Sequence, residues 1–297
     1  MMAIKATNVR GSLALILLIW LALGGWAQAV SAEDRSTPST TEIIQRSVQA
    51  NQTDWTQEPQ YDYFERDRDG PHTKTYQVTM LAGSPYSRLV AVDGQPLTAR
   101  DEAAEEGKFA KAKSEREQET PGQRRKRIAA YEKERTRDHL LMDQLTEAFQ
   151  FQLLGEQKLG PYDVYVLRAT PRAGYRPPNR DTQVLTGMQG MLWIDRHTYQ
   201  WVKVEARVVH PVSIEGFLAR VEPGTRFELE KMPVAAGVWL PKHFAMQAKA
   251  KIVGVFRHNS QEEETYFNYH KSTGTGSGAQ ESRVLLCPPG NGSCGND

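Results

Sequence analysis

The sequence predicts a β-rich α+β fold built on antiparallel strands, and three observations carry the prediction. Gly190 to Val208 reads as a strand, a turn and a second strand. In the second strand Val202, Val204, Ala206 and Val208 take one face and Trp201, Lys203, Glu205 and Arg207 the other, the period-2 pattern of a sheet with one buried face. Similar runs, closed by Gly/Pro/Asp turn signals, recur on both sides of this stretch. Between them, Thr98 to Phe149 is dominated by Glu, Lys, Arg, Gln and Ala, which favour helix.

Taken in order, residues 1–32 have the form of an export signal. Lys5 and Arg10 give a positive start, Leu13 to Leu23 is an apolar run, and cleavage is expected after Ala29 or Ala32; an uncleaved anchor is the alternative. The apolar run is shorter than the ~20 residues that span a bilayer. Glu33 to Thr41 is a polar leader. Thr40 or Thr41 is expected to cap a helix to about Asn51, with Ile43, Ile44 and Val48 as its apolar stripe.

Strands follow. One opens at Tyr61, Tyr63 and Phe64 and turns at Asp69-Gly70. Tyr76, Val78 and Met80 alternate in the next. Gly83-Ser84-Pro85 breaks the chain before Tyr86 to Val92, and Asp93-Gly94 turns it again.

The 98–149 stretch is expected to form two helices. Thr98 with Asp101 and Thr120 with Gln123 look like N-caps with a polar residue three positions on, and Pro121 suits the first helical position. The run Arg124-Arg125-Lys126-Arg127 is flanked by Glu115, Glu117, Glu119, Glu132 and Glu134, so it reads as a solvated face with internal ion pairs. Leu140, Leu141, Leu145, Ala148 and Phe149 are expected to dock on the sheet, while the earlier part projects.

Strands resume at Phe151, with a hairpin tip at Leu159-Gly160-Pro161-Tyr162. Pro171 to Gly187 is a long loop in which Arg172, Arg176 and Arg180 could receive an anion, although ordinary surface arginines are the favoured reading. The Asp195-Arg196-His197-Thr198 tip offers an Asp that can bond its own turn backbone. Pro211 to Pro223, with Ile214, Phe217, Leu218 and Val221, is expected to fold over a core edge or form a lip. Phe227 and Leu229, then Phe244 and Met246, alternate in the strands that follow. Glu262-Glu263-Glu264 reads as a solvated strand entry, with Thr265, Phe267 and Tyr269 in the last strand. A Gly/Ser/Thr tail, expected to be disordered, occupies 272–297. Its Cys287 and Cys294 are candidates for a small disulfide loop in an oxidising compartment.

Lys+Arg is 37 and Asp+Glu 36, so nothing steers the chain globally toward nucleic acid. No nucleophile elbow, zinc helix, Walker loop or dinucleotide fingerprint is present. The seven histidines lack ligand spacing. The reading is therefore not an enzyme, with no cofactor and no metal site expected.

Gly190-x-Leu192-Trp193-Ile194-Asp195, then Thr198, then Val202-Lys203-Val204-Glu205, resembles a hairpin of the LolA/LolB/RseB-like superfamily of bacterial envelope proteins. Val238-Trp239-Leu240-Pro241 and the strand after it are similar to it too, and the resemblance covers about residues 40–271. It implies a strongly curved antiparallel sheet, an incomplete barrel, with helices over its concave side and an apolar cavity that accepts acyl chains. The charged helical insertion at 98–149 departs from the carriers.

These readings give a signal at 1–32, one domain over 33–271, and a tail. The expected function is a non-enzymatic periplasmic protein that binds an acyl chain or a lipidated protein, with association with the inner face of the outer membrane left open as an alternative. The cavity candidates are Val202, Val204, Phe227, Leu229, Phe244 and Met246. An envelope interaction or sensor module, contacting a protein partner through the charged helices, is the first alternative. A hydrolase with an unrecognised site is the second.

Overall fold

The computed structural model describes residues 37–213, 219–252 and 256–273. The export segment, Ile214, Phe217 and Leu218, and the tail with Cys287 and Cys294 lie outside the described residues. The compact unit that begins at Ser39 opens with helix α1, Thr40–Gln57. Its cap is Ser39, one residue ahead of the expected threonines: the Ser39 hydroxyl accepts from the Glu42 amide.

The strands join one open antiparallel sheet. β1 (Tyr61–Asp69), β2 (His72–Leu81), β3 (Ser84–Val92) and the short β4 (Gln95–Pro96) form a meander. Helices α2 (Ala99–Glu117) and α3 (Pro121–Asp143) follow, then the short α4 (Leu145–Ala148). β5 (Phe149–Leu159), β6 (Tyr162–Pro171), β7 (Met188–Asp195) and β8 (Trp201–Val208) make a second meander. β9 (Val212–Ser213) and β10 (Ala219–Val221) precede β11 (Arg226–Ala235), β12 (Val238–Ile252) and β13 (Phe256–Lys271), and β10 pairs with β9 and with the end of β12. The main order is β4-β3-β2-β1-β13-β12-β11-β8-β7-β6-β5, so the last three strands, β11 to β13, join the two meanders. β4 and β5 remain edges and the barrel does not close. The expected fold class is the one observed.

Local chemistry explains the elements. Thr98 accepts from the Asp101 amide, and Thr120 with Gln123 completes a reciprocal capping box. The β2–β3 turn sits at Ala82-Gly83, both with positive φ, as a tight hairpin turn requires. Pro85 therefore lies inside β3, where the sequence suggested a break. Asp195 Oδ1 accepts from the amides of His197 and Thr198 at 3.0 and 2.7 Å, as its turn position predicts.

The main core lies between α1 and strands β5–β8. Ile43 and Ile44 meet Phe149, Leu167, Leu192, Ile194 and Val204, all buried. Phe149 and Ala148 dock as expected, although Phe149 is already strand; Leu141 stays exposed.

The helical pair is tied down where it was expected to project. Arg116 donates to the carbonyls of Leu81, Ser84 and Pro85 at 2.8, 2.9 and 3.1 Å. Arg127, from the basic run, donates to Ser84 Oγ at 2.6 Å and to Glu119 at 2.6 Å. The ring of Phe109 on α2 lies 5.4 Å from that of Tyr86 on β3. At its far end α3 meets α1, where Arg135 stands 4.7 Å over the Trp55 ring.

Candidate functional site

The site is the sheet face that looks toward α1 and α3. Register places its residues. Val204 of β8 pairs with Leu229 of β11, Leu229 with Phe244 of β12, Phe244 with Glu264 of β13, and Glu264 with Asp67 of β1. Directly paired residues share a face, so one row crosses five strands and changes from apolar to acidic. The next row runs Ala206, Phe227, Met246 and Glu262.

Of the expected cavity residues, the structure brings Val204, Phe227, Leu229, Phe244 and Met246 to this face. Val204 is buried in the main core, and Phe227 and Leu229 pack against that core. Phe244 and Met246 are half-buried and belong to none of the described buried clusters.

Val202 is corrected to the opposite face. β7 pairs Trp193 with Lys203 but Ile194 with Trp201, leaving Val202 as an extra residue in a β-bulge. The bulge resets the alternation. Trp201, expected on the wetter face, is buried in the core with Val204, while Val202 packs with Val164, Val166 and Trp239.

The acidic end of the row was missed. Glu262, Glu263 and Glu264 lie inside β13 rather than at a solvated entry. Carboxylate oxygens of Glu65, Asp67 and Glu264 lie within 4.8 Å of one another. Tyr266 donates to Glu264, and a hydrogen bond joins Glu65 to Asp67. The Tyr63 ring lies 5.9 Å from Tyr266 and 5.2 Å from Tyr269.

Burial sets the electrostatics. It pushes Glu65 up to about 8, with the neighbouring Asp67 charge and the hydrogen bond to Asp67 adding to the rise. It raises Glu264 as well, partly offset by the Tyr266 hydrogen bond. Tyr63, Tyr266 and Tyr269 are all raised by burial, so their phenols stay neutral. Glu65 therefore keeps its proton at neutral pH. Three carboxylates at this spacing also form a set of hard oxygen donors, the type that suits a divalent cation. The signal in the sequence was the alternation Tyr63-x-Glu65-x-Asp67 against Glu262-x-Glu264-x-Tyr266, polar residues on a strand's inward parity.

A second opening lies at the edge of this face. A cavity of about 310 Å³ runs between the start of α1 and the edge strand β5, floored by Ile44, Phe149 and Phe151. Arg172, expected as a plain surface arginine, borders it with its guanidinium engaged. It donates to the carbonyls of Thr146, Glu147 and Phe149, each at 3.0 Å. These bonds satisfy backbone that α4 leaves unpaired.

No family model matches the chain, and no curated protein matches it. Solved structures do. A LolA superfamily protein from Nitrosomonas europaea is 14% identical, with a TM-score of 0.31 over 80% of this chain and 94% of that one. A putative outer membrane lipoprotein-sorting protein domain from Vibrio parahaemolyticus is 11% identical, with a TM-score of 0.29 over 82% and 100%. A chain of the Pseudomonas aeruginosa MucA/MucB complex is 11% identical, with a TM-score of 0.23 over 76% and 99%. These superpositions are loose, and the functional reading stands on the inner face itself.

Proposed function

We propose that this protein binds an apolar chain, an acyl group free or attached to a lipidated protein, on the inner face of its sheet. It acts by holding its ligand, with no chemistry of its own, in the envelope compartment to which a signal at 1–32 would deliver it. One observation carries the reading. Phe227, Leu229, Phe244 and Met246 lie on central strands, on the face turned toward the helices, yet they are only half-buried. Apolar surface left open in that position is costly, and a ligand recovers ~25 cal/mol for each Å² it covers. Each buried CH₂ of a chain is worth about 0.8 kcal/mol, so a chain of ordinary length can bind after the ordering costs are met. The cavity beside β5 adds a second apolar opening at the sheet edge, floored by Ile44, Phe149 and Phe151.

The test is direct. The mature protein, purified from its native envelope, is expected to carry lipid detectable by mass spectrometry of an organic extract. After delipidation it is expected to take up a fluorescent fatty acid that unlabelled acyl chains displace. Absence of both co-purified lipid and saturable fatty-acid binding defeats the reading.

A further inference from the structure

The opposite face of the sheet holds a groove of about 700 Å³ across strands β6 to β13. Register again fixes what stands there. Gln189 pairs with Arg207, Arg207 with Arg226, Arg226 with Gln247, and Gln247 with Gln261. Five donor-bearing side chains therefore form one row across five strands, and Arg168 borders the same groove.

Arg207 and Arg226 are directly opposite each other, an arrangement that is unfavourable unless an anion is shared between them. The neighbouring row supplies carboxylates, but these are already engaged. Lys203 Nζ lies 2.9 Å from Glu205 and 2.7 Å from Glu228, and Arg68 Nε lies 3.0 Å from Glu263. Among the described residues, Arg168, Arg207 and Arg226 have neither an ion-pair nor a hydrogen-bond partner, and all three are exposed. The groove thus pairs its acids with other cations and leaves its guanidiniums free.

We propose that this row is a binding site for a phosphate group, held between Arg207 and Arg226 with glutamine amides on either side. Planar guanidinium forks match the oxygens of a phosphate. The paired glutamates Glu205 and Glu228 border the row, which limits the site to one compact anion and disfavours a polyanion. The phosphate could be that of a lipid headgroup or free in solution. The site is on the other side of the sheet from the acyl-binding face, so either can fail without the other.

Melting of the full chain is compared in phosphate and in chloride at matched ionic strength. Three variants accompany the wild type: the double substitution Arg207→Gln/Arg226→Gln, the single Arg226→Lys, and Arg176→Gln in the 171–187 loop as a control. Phosphate is expected to raise the wild-type melting temperature. The double variant removes both charge-assisted contacts and is expected to weaken the apparent affinity at least about tenfold. Arg226→Lys keeps the charge and loses the fork, so it is expected to fall between. Arg176→Gln is expected to behave as wild type. In chloride the double variant should melt no lower than wild type, because two opposed like charges have gone. Flotation with phosphatidylcholine vesicles containing phosphatidylglycerol separates the sources. Vesicle binding lost in the double variant assigns the site to a headgroup; a phosphate response with no vesicle binding assigns it to free phosphate. No phosphate-specific stabilisation of the wild type, or an equal response in the double variant, overturns the proposal. If the double variant does not fold, an Arg226→Lys response equal to wild type overturns it.

Discussion

Lys231 Nζ on β11 lies 2.5 Å from Asp54 Oδ2 on α1, and both side chains are buried, 8% and 3% exposed. Lys231 also donates to Asn51 Oδ1 at 2.8 Å. Asp54 Oδ1 accepts from Gln200 Nε2 at 3.0 Å and from the Trp239 amide at 2.8 Å. One carboxylate thus ties α1 to β8's turn, β11 and β12. Burial raises Asp54 and lowers Lys231, and their mutual attraction works against both shifts. The ion pair itself contributes little net stability, but losing one half strands the other. Asp54→Ala is expected to cost about 3–5 kcal/mol in urea unfolding. Replacing both, Asp54→Ala with Lys231→Met, is expected to cost less than Asp54→Ala alone. Additive costs would mean the two residues are not coupled.

Phe244 separates a ligand surface from a packed core. It is half-buried beside Leu229 and Glu264. A fully packed phenylalanine truncated to alanine loses about 3–5 kcal/mol. Phe244→Ala is expected to lose only about 1–2 kcal/mol, while fatty-acid affinity falls about tenfold. Calorimetric melting and fluorescence titration read the two quantities. A large loss of stability with unchanged binding would assign Phe244 to the core.

Residues whose structure is set by near neighbours were legible. Thr98 and Thr120 cap the helices they precede, and Asp195 folds its own turn. The inner face was legible only in part, since its strands alternate until a bulge intervenes. Nothing near Val202 in the chain announces that bulge, which arises from how β7 and β8 pair. The acidic cluster was hidden for a different reason. It forms only when β1 pairs with β13 at the far end of the chain, and charged triplets such as Glu262-Glu263-Glu264 are depleted from strands. Nothing near Lys231 in the chain marks it as buried, because its partners Asn51 and Asp54 come from α1.

Arg116 and Arg127 clip the helical pair to the β2–β3 turn, and Gly83 leaves room for it: a Cβ there would meet Ile128 Cδ1 at 3.0 Å. The exposed remainder of α2 and α3 has little apolar burial of its own. Arg116→Ala/Arg127→Ala is therefore expected to loosen these helices while the core between α1 and β5–β8 holds. Amide hydrogen exchange over 99–143 should speed by about tenfold or more. Exchange in β7 and β8 should stay at its wild-type rate. Uniform acceleration along the chain would show instead that the helical pair unfolds only with the sheet.

Glu65 makes stability depend on pH in an unusual direction. An ordinary carboxylate that gains a cationic partner has its pKa lowered, and stability is then lost as pH falls. Glu65 is raised to about 8 by burial and by Asp67, so the folded state holds a proton that the unfolded chain gives up at lower pH. Where the native state binds more protons, stability falls as pH rises. The contribution is fully present below the ordinary glutamate range and is lost progressively as pH climbs toward about 8. The slope is at most about 1.4 kcal/mol per pH unit for one proton. Glu264, also raised, acts in the same direction. Glu65→Gln keeps the neutral shape and removes the titrating group. It is expected to melt near wild type at pH 5, to melt above it at pH 9, and to flatten the slope between, as read by melting curves across that range. Parallel wild-type and variant curves would show that the proton held by Glu65 does not govern stability.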